Sequence, residues 1–221
     1  MRAVSSSSAH DAPAAPATPV LATLARAPDF AHGYVKDLRV RWALEEAGRP
    51  YRTSMQDEAA RSGPYRVWQP FGQVPAWRDG TVEMFESAAI VLHLASQSER
   101  LSPQDPAGAA RVASWVLAAV ATVQPQVDVS NFVAADLPET PRAACAARLA
   151  SRLAALECWL GERDWLEDRF TAGDLVMATA VREVDPATLQ DYGRLSAWLT
   201  RCLDRPAFHA ALAAQRAELA G

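Results

Sequence analysis

The chain has 221 residues, of which 50% are hydrophobic and 22% charged, with a formal net charge of −4. That is ordinary soluble composition with room for one or two cores, and the mildly acidic balance offers no electrostatic footing for nucleic acid. No window reaches the roughly 18 consecutive apolar residues that a membrane span requires, so no membrane partner is expected. Three cysteines (Cys145, Cys158, Cys202) lie in the second half without a C-x-x-C pair or a histidine cluster. They read as buried free thiols, and neither disulfides nor a metal site are expected.

Residues 1–19 are mostly Ser, Ala and Pro. They lack the apolar segment of a secretory signal, so a disordered tail and a cytoplasmic protein are expected. Val20 to Leu24 form a short buried strand, 25–33 a loop and 35–47 a helix. Val40, Ala43, Leu44 and Ala47 make the core stripe of that helix, with Gly48 and Pro50 to stop it. A second strand covers 51–55, and an irregular helical stretch follows.

The stretch 69–87, QPFGQVPAWRDGTVEMFES, organises the rest. Gln69 to Gly72 is a turn-rich lead-in to Gln73-Val74-Pro75. Ala76 to Arg78 is a short strand, Asp79-Gly80 a hairpin signal, and 81–85 the returning strand. Glu86-Ser87 then opens a helix carrying Ile90, Val91, Leu92 and Leu94. A proline directly before a strand fits either a sheet edge or a cis peptide bond. With a cis bond, the backbone of Val74 is free to pair with an extended peptide. The Ser87 hydroxyl and the first N–H groups of the helix form a site for a carboxylate. A grip for a peptide backbone beside a grip for an anion describes a small acidic peptide as ligand.

Gln-Val-Pro, an Asp-Gly hairpin and Glu-Ser at a helix start resemble, in that order, the glutathione site of the soluble glutathione S-transferases, here of bacterial type. The resemblance implies an α/β thioredoxin-like N-terminal domain followed by an all-α helical C-terminal domain, with glutathione as co-substrate and no metal. It implies that Val74 and Pro75 hold the cysteinyl backbone, Glu86 and Ser87 the γ-glutamyl end, and Gln73 the glycyl carboxylate. A homodimer is part of the same expectation. The divisions read as a tail at 1–19, a glutathione-binding domain at 20–97, a linker at 98–106 and a helical domain at 107–221.

In the second half, the first helix carries Val112, Trp115 or Val116, Ala119 and Val123, kinks at Pro125 and continues through Val127 and Phe132. Pro138 and Pro141 bracket a turn, and Leu149, Leu153, Leu156 and Leu160 mark the next helix. Thr171 and Asp174 form a capping box, with Phe170 and Leu175 as its staple. The helix it opens is apolar on nearly all sides and therefore central; its role is folding. Leu195, Trp198, Leu199 and Cys202 define another helix, and Pro206 starts the last.

A transferase must hold glutathione as its thiolate, whose parent thiol has a pKa near 8.5. Lowering it by about two units takes roughly 2.7 kcal/mol, which one placed donor and a helix N-terminus can supply. The resemblance puts that donor between the first strand and the first helix. No Ser, Thr or Cys lies there, so Tyr34 is the hydroxyl candidate, with His32 and Lys36, the single lysine of the chain, as further possibilities. The lack of Cys excludes the mixed-disulfide chemistry of thiol-transferase relatives. A hydrophobic electrophile is expected between the domains, against the 25–34 loop and the first long helix, with Trp115 as a lining candidate. The expected activity is conjugation of glutathione to that electrophile. The alternatives are a glutathione-dependent isomerase or dehalogenase, or a non-catalytic interaction or regulatory module of the same fold.

Overall fold

The computed structural model describes residues 18–80 and 82–220; the expected tail falls almost entirely outside them. Strand β1 (Val20–Leu24) leads through a loop to helix α1 (Asp37–Ala47), strand β2 (Arg52–Gln56), helix α2 (Glu58–Ser62) and a 3-10 turn at Pro64–Val67. The β3 (Ala76–Arg78) and β4 (Glu83–Phe85) hairpin follows, then helix α3 (Ser87–Ala95). The four-stranded sheet has the order β2-β1-β3-β4, with β2 parallel to β1 and the other pairs antiparallel. This is the thioredoxin-like arrangement expected of βαβ–ββα. Alternation across the pleat divides the packing. Leu21 and Trp77 join the main core with α1 and α3, while Ala22 and Ala76 meet Tyr65 on the opposite face.

The remainder is helical: α4 (Pro106–Ala118), α5 (Gln124–Phe132), α6 (Glu139–Leu160), α7 (Ala172–Val181), α8 (Pro186–Leu189), α9 (Gly193–Leu203) and α10 (Pro206–Ala220). Every residue of α7 is buried, as expected of a central helix. Its capping box is present: Thr171 Oγ1 accepts from the Gly173 N–H at 3.2 Å, and Asp174 accepts from the Thr171 N–H at 2.9 Å. Asp174 also takes the Leu166 N–H and the Trp198 indole N–H at 2.8 and 2.9 Å. It ties three segments together as well as capping one.

Several expectations need correction. The returning strand begins at Glu83, which pairs with Arg78 across the sheet, and Thr81 lies outside the described residues. Asp79 closes the hairpin through both its N–H to the Val82 carbonyl and its side chain to the Val82 N–H. The irregularity before Pro125 is a π-helical turn at Ala119–Val123. Proline lacks the N–H that an α-helix would bond one turn back and crowds that carbonyl, so the preceding turn widens. Pro141 lies inside α6 rather than beside it. Phe132 does not continue the core stripe: it is 72% exposed. The linker is not wholly polar, because Leu101 is fully buried and its carbonyl accepts the Ala172 N–H at 2.8 Å. Of the cysteines, Cys202 is buried, Cys145 half-buried and Cys158 exposed. Finally, the run Pro106–Phe132 is long and apolar enough to match a membrane span by length and composition alone. Here Val112, Val116, Ala119, Val123 and Val127 belong to the same core as α7.

Helix α1 is wedged between the sheet and α3 on one side and α7 and α10 on the other. It therefore buries charged residues as well as apolar ones: Asp37, Arg39, Arg41 and Glu46 are all under a tenth exposed. Gly48 ends it in the left-handed conformation, φ 64°, which glycine adopts without steric cost.

Candidate functional site

Two cavities meet where the sheet end of the molecule faces the helices. The smaller, about 220 Å³, is lined by Gln69, Gln73, Val74, Pro75, Glu86 and Ser87 from the first half, by Lys36 and Arg39 of the α1 start, and by Val120 and Gln124 from the π turn and α5. The Val74-Pro75 peptide bond is cis. Gln69 shapes the approach: its buried side-chain oxygen accepts the N–H groups of Phe71 and Gln73 at 2.7 and 3.1 Å. Gly72 turns with φ +67°, and a Cβ there would sit 2.5 Å from the Arg61 carbonyl oxygen. Tyr65 donates its hydroxyl to the Gln73 carbonyl at 2.9 Å. The Gln-Val-Pro edge is thus fixed from several sides.

Opposite it, Glu86 takes φ +71° just before α3. For a non-glycine residue that conformation costs about 1–3 kcal/mol and persists where the surroundings over-determine it. It presents the exposed Glu86 carboxylate at the cavity and starts α3 at Ser87, which is 7% exposed. The sequence stretch 69–87 therefore brings together all five residues singled out in it: Gln73, Val74, Pro75, Glu86 and Ser87.

Arg39 is the residue that sequence reasoning missed. It is 4% exposed and donates to Ser87 Oγ at 3.3 Å, Thr179 Oγ1 at 2.8 Å and Gln124 Oε1 at 2.5 Å. Burial lowers its pKa; the carboxylates of Glu183, Asp128 and Glu86 oppose that from farther off. A guanidinium whose direct partners are neutral, beside a serine hydroxyl and a helix start, can accept an anion.

The larger cavity, about 750 Å³, is lined by Phe30, Tyr34, Val35 and Lys36 before α1, by Asp128, Asn131 and Phe132 of α5, and by residues 182–186 after α7. Its exposed aromatic rings, Phe30, Tyr34 and Phe132, suit an apolar guest. Tyr34 lines this cavity and not the smaller one; its ring lies under the Arg182 guanidinium at 4.6 Å. His32 is half-buried, places Nε2 3.1 Å from the Ala27 carbonyl of its own loop, and lines neither cavity. Trp115 also lines neither, which corrects its expected place. Its ring packs on Trp159 at 5.1 Å, its Cβ crowds Gly173, and its N–H donates to Glu167. Lys36 lines both cavities and donates to Glu183 Oε1 at 2.5 Å.

The fold has known counterparts. Residues 38–97 match the family model described as glutathione S-transferase, N-terminal domain. The chain carries the N-terminal domain and the fold of the glutathione S-transferase family. Glutathione S-transferase PARB of Nicotiana tabacum is 28% identical over 165 residues, covering 66% of this chain and 76% of that protein. A glutathione transferase of Burkholderia graminis, solved with two glutathione molecules per subunit, superposes with a TM-score of 0.75 at 24% identity, covering 90% of each chain. The nitrogen regulation fragment of the yeast prion protein Ure2p superposes with a TM-score of 0.73 at 20% identity, over 89% of this chain and 96% of that one. The fold is therefore shared with transferases and with a regulatory protein.

Proposed function

We propose that this chain is a glutathione S-transferase, which binds glutathione in the smaller cavity and conjugates it to a hydrophobic electrophile held in the larger. The observation that carries the reading is the buried Arg39–Ser87 pair facing Val74-Pro75 across a peptide-sized groove. A γ-glutamyl carboxylate meets Arg39, Ser87 and the α3 N-terminus; the ligand's amine meets the Glu86 carboxylate. Val74 and Pro75 flank the cysteinyl unit, and Gln73 stands where the glycyl end emerges. A protein of the same fold from Burkholderia graminis was solved with glutathione bound, which is consistent with glutathione as the ligand.

The electrophile is apolar or aromatic, because Phe30, Tyr34 and Phe132 surround its cavity. The homodimer and the cytoplasmic setting belong to this reading as well, the first testable by light scattering. The test of function is calorimetric titration with glutathione followed by conjugation of a dinitrohalobenzene. Micromolar-to-millimolar binding with turnover supports it; no binding contradicts it. One observation favours a second reading, a glutathione-binding regulatory protein without turnover: Tyr34, the hydroxyl candidate for the thiol, lines the other cavity. Binding without conjugation of any electrophile supports that alternative.

A further inference from the structure

Conjugation joins a sulfur held in one cavity to a carbon held in the other, so the reacting atoms meet at the wall the two share. Among the described residues lining them, Lys36 is the one common to both. The hydroxyl candidates are elsewhere. No Ser, Thr or Cys occurs between β1 and α1, and Tyr34 stacks under Arg182 beside the larger cavity.

On the glutathione reading just given, we propose that the Lys36 ammonium is the catalytic group that holds the glutathione sulfur as thiolate, and that Tyr34 is a wall of the electrophile cavity. An ammonium has three N–H donors. Glu183 takes one of them, which leaves donors for a sulfur anion. Lys36 is also held in position by a continuous chain of hydrogen bonds. The second Glu183 oxygen accepts from Gln124 Nε2 at 3.0 Å, Gln124 Oε1 accepts from Arg39, and Arg39 donates to Ser87. The cation is thereby set in a fixed relation to the anion site at the other end of the ligand.

The charges facing Lys36 are Glu183 beyond the end of α7, Asp128 of α5 and Arg39 of α1. Burial lowers its pKa, opposed by Glu183: the cation has lost water and gains from a second anion. In the reaction, the thiol gives its proton to water. The thiolate electron pair then forms the bond to the electrophilic carbon, whose leaving group departs with the old bonding pair. Lys36 remains an ammonium throughout.

The experiment compares wild-type protein with Lys36→Met, Lys36→Arg and Tyr34→Phe, folding being followed by circular dichroism. Glutathione binding is measured by calorimetry, and the bound thiol is titrated by its ultraviolet thiolate absorbance. Lys36→Met is expected to bind glutathione but raise the bound thiol pKa by about one unit or more toward the free value. Its conjugation rate at neutral pH should fall by about tenfold or more and recover in alkali. Lys36→Arg is expected to restore most of the shift, and Tyr34→Phe to titrate as wild type.

Because Lys36 is the single lysine, 13C,15N-lysine labelling gives one side-chain NMR signal from an unmodified ammonium. Its titration should move with glutathione and not with S-methylglutathione. An unchanged thiol titration in Lys36→Met, with binding intact, overturns this inference alone, as does a Tyr34→Phe shift of the same size. Wild-type protein that takes up no glutathione overturns the family reading together with the inference.

Discussion

Two arginines stand two residues apart on α1 and are equally out of water: Arg39 is 4% exposed and Arg41 1%. Their surroundings differ completely. Arg41 sits between two carboxylates, Asp37 at 2.7 Å and Glu218 of α10 at 2.5 Å. Burial opposes its charge, yet the bonds to Glu218 and Asp37 hold its pKa above the ordinary guanidinium value. Arg39 is met by a serine, a threonine and a glutamine, and its pKa is pushed down by burial. A buried cation with its charge balanced by the protein is a fastener. One whose direct partners are neutral, beside a cavity, has charge left for an anionic ligand, as proposed for Arg39.

The largest break in that comparison comes from Arg41→Met. It strands Asp37, 2% exposed, and the α10 carboxylate, so chemical denaturation should show a loss of about 3–5 kcal/mol. The folded fraction should keep its glutathione affinity. The pH dependence has a defined sign. Burial already raises the Asp37 pKa above 3.8, although Arg41 lowers it. Without Arg41 it rises further, so the folded state favours the protonated acid. The deficit of Arg41→Met should therefore shrink as the pH falls toward the unfolded carboxyl value, and grow as the pH rises.

Arg39→Met is the reverse experiment. Methionine removes a desolvated cation but leaves the buried Gln124 Oε1 without its donor, so stability should fall by about 1–3 kcal/mol, less than in Arg41→Met. Glutathione affinity should fall by about 2–3 kcal/mol, the worth of a charge-assisted bond. Ser87→Ala comes next: calorimetry should show about 1–3 kcal/mol weaker binding, while unchanged affinity would remove Ser87 from the anion site. Thr179→Ala is the smallest. It removes one support of Arg39 without touching the ligand and should cost about 1 kcal/mol in stability, with affinity reduced less than in Ser87→Ala.

The same contrast explains what could be read from the sequence. Val74-Pro75 and Glu86-Ser87 lie within one hairpin and its flanks, so local turn and capping chemistry brings them together. The Thr171–Asp174 box was equally legible, being a three-residue interaction. Arg39 was not. Its partners come from positions 87, 124 and 179, and no helical periodicity distinguishes it from a solvated arginine. The site geometry also depends on the π turn at Ala119–Val123, which precedes the buried Gln124; Pro125 signalled an irregularity but not its form. Trp115 and Phe132 both stand apart from their expected places, and their neighbours come from positions distant in sequence. The exposed Phe132 lines the larger cavity, and Trp115 packs on Trp159.

The central claim, that Arg39 and Ser87 form an anion site for glutathione, is tested most directly by a crystal structure of the wild-type protein grown with the tripeptide. The account predicts its γ-glutamyl carboxylate within about 3 Å of Ser87 Oγ and the Arg39 guanidinium, with the cysteinyl unit beside Val74-Pro75. A tripeptide bound with neither carboxylate at that pair, or absent from the cavity at saturating concentration, contradicts it.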